Sequence, residues 1–183
     1  PPKNTNGRSK YGMGLKTAAC WLGNVWTIKT KKLGDTVEHN VTVNVDEIAA
    51  GEGALEYSAI EGRSPDKHYT LIEINDMNRN FHGRTLGKIR DFLSSMYRED
   101  FRAKQLILLW NGTKLVWKDL DDRLLHAVDG TVYKKNFLFN VEDRQVKGWV
   151  GILDKGGRAD AGFSVIHCGR VVRGWPDNWR PSS

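Results

Sequence analysis

Cysteine is scarce: among 183 residues there are two, Cys20 and Cys168, far apart in the chain. That count excludes a disulfide framework and a paired-cysteine metal site, and it reads as two free thiols in a reducing compartment. No apolar run is long enough to span a bilayer and no signal-peptide pattern opens the chain, which points away from a membrane and toward the cytoplasm, or the nucleus of a eukaryote. The five histidines have no ligand spacing, so no metal site is expected. Asp119, Asp121 and Asp122 lack the glycine and closing glutamate of a calcium loop and read as a solvated turn. Glu73 and Asp76 have no neighbouring nucleophile that argues for glycosidase chemistry. There are no repeats, no low-complexity tracts and no run of five like charges.

What is present is ordinary globular composition, 39% hydrophobic and 27% charged, with a net charge of +6. The positive balance permits a polyanionic partner such as nucleic acid without demonstrating one. The polar leads at both ends, Pro1 to Asn6 and Trp179 to Ser183, read as cuts in a longer chain.

The organising stretch is Gly7-Arg8-Ser9-Lys10-Tyr11-Gly12-Met13-Gly14-Leu15-Lys16-Thr17-Ala18-Ala19. A polar glycine loop runs straight into a helix expected over 13–22 and expected to be mostly buried. Loop amides and the positive end of the helix dipole together make an anion site, read here as one for nucleotide phosphates. Three known glycine loops fail. A dinucleotide fingerprint needs a preceding strand and a third glycine where Thr17 stands. A Walker loop needs Gly-Lys-Ser/Thr after its second glycine, but Met13 follows Gly12. A kinase loop joins two strands, whereas this one opens a helix.

Downstream, alternation predicts a hairpin from Val25–Thr30 and Val37–Val45, then a loop over 46–67 with one strand near 54–60, then a strand Tyr69–Ile74. Helical spacing predicts a helix Arg84–Arg98. Asn111-Gly112 between apolar runs predicts a hairpin over 106–117. From Thr131 on, the chain reads as β, in segments 131–141, 145–153, 162–166 and 170–172, with turns at 142–144, 154–157 and Cys168-Gly169. Arg170, Arg173 and Arg180 interleaved with Trp175 and Trp179 read as a tryptophan-stapled loop ahead of a stacking surface for single strands.

In this order the segments resemble the GHKL (Bergerat-fold) ATPases, the group of gyrase B, histidine kinases, MutL and the MORC proteins. The glycine stretch is similar to their second glycine box. Thr70 in Tyr69-Thr70-Leu71-Ile72-Glu73-Ile74 is similar to their strand threonine, though Tyr69 stands where glycine is usual. Gln145–Leu153 followed by Ala161–Val172 resembles the transducer domain of the MutL/MORC/gyrase B branch, with Cys168 in place of the usual asparagine.

The resemblance implies an α+β chain: a partial Bergerat α/β sandwich over 1–120, then a smaller, incomplete, β-rich transducer-like domain over 121–183. It implies phosphate contacts at Tyr11, Gly12, Met13, Gly14, Leu15 and Lys16, and an adenine and water contact at Thr70. ATP and Mg2+ are then the ligands of the parent protein, none is expected for this chain alone, and a homodimer is implied. The family's water-activating Glu, its magnesium-holding Asn and its adenine-reading Asp-x-Gly-x-Gly box have no counterpart here, so no catalytic residue is assigned. A transducer lysine that reaches the γ-phosphate is expected beyond residue 183. The reading is therefore a fragment of a nucleotide-driven clamp or switch, inactive by itself. The alternative is a scaffold or nucleic-acid-binding module on a degenerate ATPase-like fold.

Overall fold

The structure is a computed structural model that describes residues 13–53 and 55–181. It forms two compact units, Pro1–His82 and Gly83–Ser183.

In the first unit, helix α1 (Met13–Leu22) passes directly into strand β1 (Gly23–Lys31), followed by β2 (Glu38–Asn44), a short helix α2 (Val45–Ala49), β3 (Glu56–Ile60) and β4 (Tyr69–Met77). The strands make one antiparallel sheet in the order β3-β2-β1-β4, with the helices on one side, an α+β arrangement. Register sets the two faces. Trp26 lies opposite Val43 on one side and Ile74 on the other, and Ile28 lies opposite Val41 and Ile72. This apolar face takes α1: Ala19, Trp26 and Val43 are buried together, with Cys20, Ile28, Val41, Val45 and Ile74 packed around them. Burial of a side chain the size of Val43 contributes about 1.5–3 kcal/mol. The other face is polar, with Thr27 bonded to Thr42 at 3.0 Å and Lys29 paired with Glu73 at 2.6 Å.

The helix over 13–22 has the predicted bounds but not the predicted burial. Only Ala19 is buried, while Met13 is 58% and Trp21 54% exposed. Helical spacing places residues on a face, but only the rest of the fold decides whether something covers it. The second strand also ends earlier than predicted. Asn44 accepts from the amides of Asp46 and Glu47 at 3.2 and 3.4 Å, and its Nδ2 donates to Glu47 Oε1 at 2.8 Å. This reciprocal cap starts α2 at Val45 and takes that valine out of the strand. Glu73 and Asp76 are engaged separately: Asp76, at φ +46°, accepts from Asn24 Nδ2.

The second unit opens with α3 (Arg84–Met96) and α4 (Arg98–Arg102), then a minimal hairpin, β5 (Leu109–Trp110) with β6 (Thr113–Lys114). Asn111 and Gly112 have φ of +48° and +77°, as their turn requires, but the paired stretch is far shorter than the predicted run. Then come the hairpins β7 (Lys134–Val141) with β8 (Arg144–Gly151), and β9 (Val165–His167) with β10 (Arg170–Arg173). Cys168 and Gly169 turn the last hairpin at φ +49° and +71°. Asp119 pairs with Arg102, and Asp121 with Lys134. Trp175 packs edge-on to Trp117, and Trp179 packs against Phe163.

Gly23 marks where α1 meets the sheet. A Cβ there would meet the carbonyl oxygen of Asn75 and lie 2.8 Å from Ile74 Cγ2. Gly23→Ala is expected to destabilise the first unit by about 1–3 kcal/mol, read as a lower denaturation midpoint. An unchanged midpoint would mean that the helix does not enter the sheet this tightly.

Candidate nucleotide-phosphate site

Tyr11 and Gly12 lie outside the described residues. Met13, Gly14, Leu15 and Lys16 form the first turn of α1, and all four are exposed. That turn holds no acidic residue, so no side chain of its own offsets the positive end of the helix dipole. Among the described residues nothing lies within 4 Å of where a Gly14 Cβ would stand. Packing therefore does not require glycine there, and helix propensity opposes it by about 1 kcal/mol relative to alanine. Open space at Gly14 and an exposed Lys16 with no ion pair among the described residues fit an approaching phosphate.

The other end of α1 is fixed. Asn78 donates its backbone N–H to Leu22 O at 2.9 Å and its Nδ2 to the carbonyls of Cys20 and Trp21 at 3.3 and 3.4 Å. These bonds satisfy last-turn carbonyls that a helix cannot bond internally. Nothing at the sequence level marked Asn78, because its partners are more than fifty residues away.

Thr70 sits at the start of β4, on the face that carries Ile72 and Ile74, and Ile74 helps enclose Ala19. Its hydroxyl meets Thr30 Oγ1 at 3.0 Å. The structure thus puts Thr70 and α1 on one side of the sheet. Among the described residues no hydrogen bond joins Thr70 to the 13–16 turn. Thr30 was invisible in the sequence, since only the strand register makes it Thr70's neighbour.

Tyr69 explains its own presence on the opposite face. Its hydroxyl donates to Glu38 Oε2, while Arg63 Nη2 donates to Glu38 Oε1 at 3.1 Å. Glu38 is only 4% exposed. The Tyr69 hydroxyl, and after it Arg63, hold its carboxyl below the ordinary 4.5, with burial working the other way. Glu38 in turn raises the Tyr69 phenol.

Among the described residues no group of three His, Cys, Asp or Glu side chains is placed to hold a metal ion. No helix among them is long and apolar enough to cross a membrane.

Residues 1–74 match the family described as Histidine kinase-, DNA gyrase B-, and HSP90-like ATPase. The matched segment, which includes the glycine stretch, α1, β1 to β3 and Thr70, is thus similar to the GHKL-type ATPases. No curated protein and no solved structure matches the chain.

The lowered Glu38 carboxyl stabilises the fold above the ordinary carboxylate value, and that contribution is lost as pH falls through its folded value. Glu38→Gln is therefore expected to lower the thermal midpoint near neutral pH, with the gap to the parent closing below pH 4.5. A gap that persists unchanged in acid would show that the carboxylate's charge is not what its partners stabilise.

Proposed function

We propose that this chain supplies the phosphate-closing part of a GHKL-type ATP pocket, in the branch that includes gyrase B, MutL and the MORC proteins. The observation that carries this is the start of α1: an exposed, acid-free helical turn with an open glycine, in a segment that matches the family. Residues 11–16 hold the triphosphate through backbone amides and the Lys16 ammonium. Thr70, oriented by Thr30, faces the adenine side. The parent protein binds ATP with Mg2+, and the nucleotide drives a clamp or switch that closes as a homodimer.

The division at about residue 120 belongs to the same proposal, with 121–183 as a transducer-like part. The Cys168-Gly169 turn supports it. Both residues take the positive φ that an Asn-Gly pair adopts in a type I′ turn, so cysteine stands where the branch's asparagine would.

Phosphoryl transfer depends on positioning and charge stabilisation. The groups that orient the attacking water and read the adenine have no counterpart in this sequence. Their supply from a preceding segment completes the pocket, and the chain alone does not turn over ATP at a useful rate.

Calorimetry with ATP on this chain and on a version extended at its N-terminus tests the proposal. The extended protein is expected to bind at least about tenfold more tightly, a difference of roughly 1.4 kcal/mol. Within it, Lys16→Ala is expected to weaken binding by about 1–2 kcal/mol without changing the folding midpoint. Failure of the extended protein to bind ATP would sink the proposal.

A further inference from the structure

The polar face of the first unit's sheet carries a second basic cluster, and the nucleotide reading does not use it. Lys31 ends β1 opposite Tyr69. Its residue number differs from that of Trp26 by an odd step, so strand alternation turns it to the face away from α1. It is 3% exposed. Its ammonium donates to Lys67 O at 2.6 Å and to Lys32 O at 3.2 Å. Among the described residues it forms no ion pair. A buried ammonium whose hydrogen bonds go to carbonyl oxygens carries a desolvation cost that a nearby anion offsets. It also has a third N–H to give.

The surroundings are built rather than loose. The segment after β3 is tied to the β1–β2 turn by Arg63 N to Thr36 O and by Gly34 N to Pro65 O, each 2.9 Å, and it closes on itself by Lys67 N to Ser64 O at 3.3 Å. These bonds frame a cleft of about 330 Å³ lined by Lys31, Gly62, Arg63, Ser64, Lys67 and Tyr69. Three cations line it, and the adjacent carboxylate, Glu38, is already taken by Tyr69 and Arg63. Asp35, which lies close enough for Lys31 to help lower its carboxyl, accepts from the Val37 amide at 3.0 Å. Among the described residues, the third N–H of Lys31, the Lys67 ammonium, the remaining guanidinium N–H groups of Arg63 and the Ser64 hydroxyl are thus donors left to meet an incoming acceptor.

We propose that this cleft is a binding site for an oxyanion of the phosphate class, distinct from the glycine-loop site and on the opposite face of the sheet. A tetrahedral oxyanion has enough acceptor oxygens for an ammonium, a guanidinium and a hydroxyl together. The cleft is larger than a bare phosphate, which leaves room for the carbon skeleton of a phosphate monoester.

The test is amide NMR of the full chain, titrated at constant ionic strength first with inorganic phosphate and then with phenyl phosphate. Saturable shifts are expected at Gly62, Ser64 and Lys67. Lys67→Gln, at an exposed position, should weaken binding about fivefold, the loss of one charge-assisted bond, and leave the rest of the spectrum unchanged. Lys31→Met should abolish it. Tighter binding of phenyl phosphate identifies a monoester site, and equal binding identifies a free-phosphate site. The proposal is overturned by shifts that never saturate, by shifts confined to residues 13–16, or by a Lys67→Gln chain that binds as the parent does.

Discussion

The first unit depends on the contact of Ala19 with Trp26 and Val43. It joins α1, the longer of this unit's two described helices, to its sheet. A methyl group lets the helix approach an indole that a larger side chain would hold off. Gly23 continues the same logic one residue past the helix end, where the chain enters the ladder with no loop and no room for a Cβ. Asn78 then ties the final carbonyls of α1 to the end of β4. The helix is thereby held at its C-terminal half while its first turn stays exposed. An anion-binding helix start needs that arrangement, rigid support behind and open access in front.

The two faces of the sheet divide the chemistry. One carries the apolar contact with α1 and, further along β4, Thr70 with its partner Thr30. The other carries Glu38, Tyr69, Arg63 and Lys31, a polar network in which a tyrosine and an arginine engage a buried carboxylate. Tyr69 and Thr70 are neighbours in sequence and belong to different faces. The departure from the family pattern at Tyr69 therefore falls in the network of the polar face and leaves the threonine beside it on the α1 side.

Local signals were legible where one stretch of chain decides the outcome. The glycine-rich lead marks where α1 begins, and alternation gives β1 and β4. Asn111-Gly112 and Gly169 mark their turns, because asparagine and glycine tolerate positive φ themselves, whereas Cys168 takes it within the turn that Gly169 completes. Legibility failed where a distant partner decides. The burial of α1 depends on what covers Met13 and Trp21. The end of β2 was misread because valine alternation ran on past Asn44, although Asn44 and Glu47 are spaced as a cap. For the candidate site, the sequence marked the α1 turn and Thr70. It could not mark Thr30 or Asn78, nor gather Lys31, Arg63 and Lys67 into one cleft, because strand register and two loop ties create those neighbours.

Whether the start of α1 holds nucleotide phosphates, as proposed, decides the rest. The most direct measurement is a crystal structure of the N-terminally extended protein with a non-hydrolysable ATP analogue. The terminal phosphates are expected against the amides of residues 12–16 with Lys16 beside them, and the adenine on the Thr70 side of the sheet. A nucleotide seated on the polar face, or anywhere away from the first turn of α1, would contradict it.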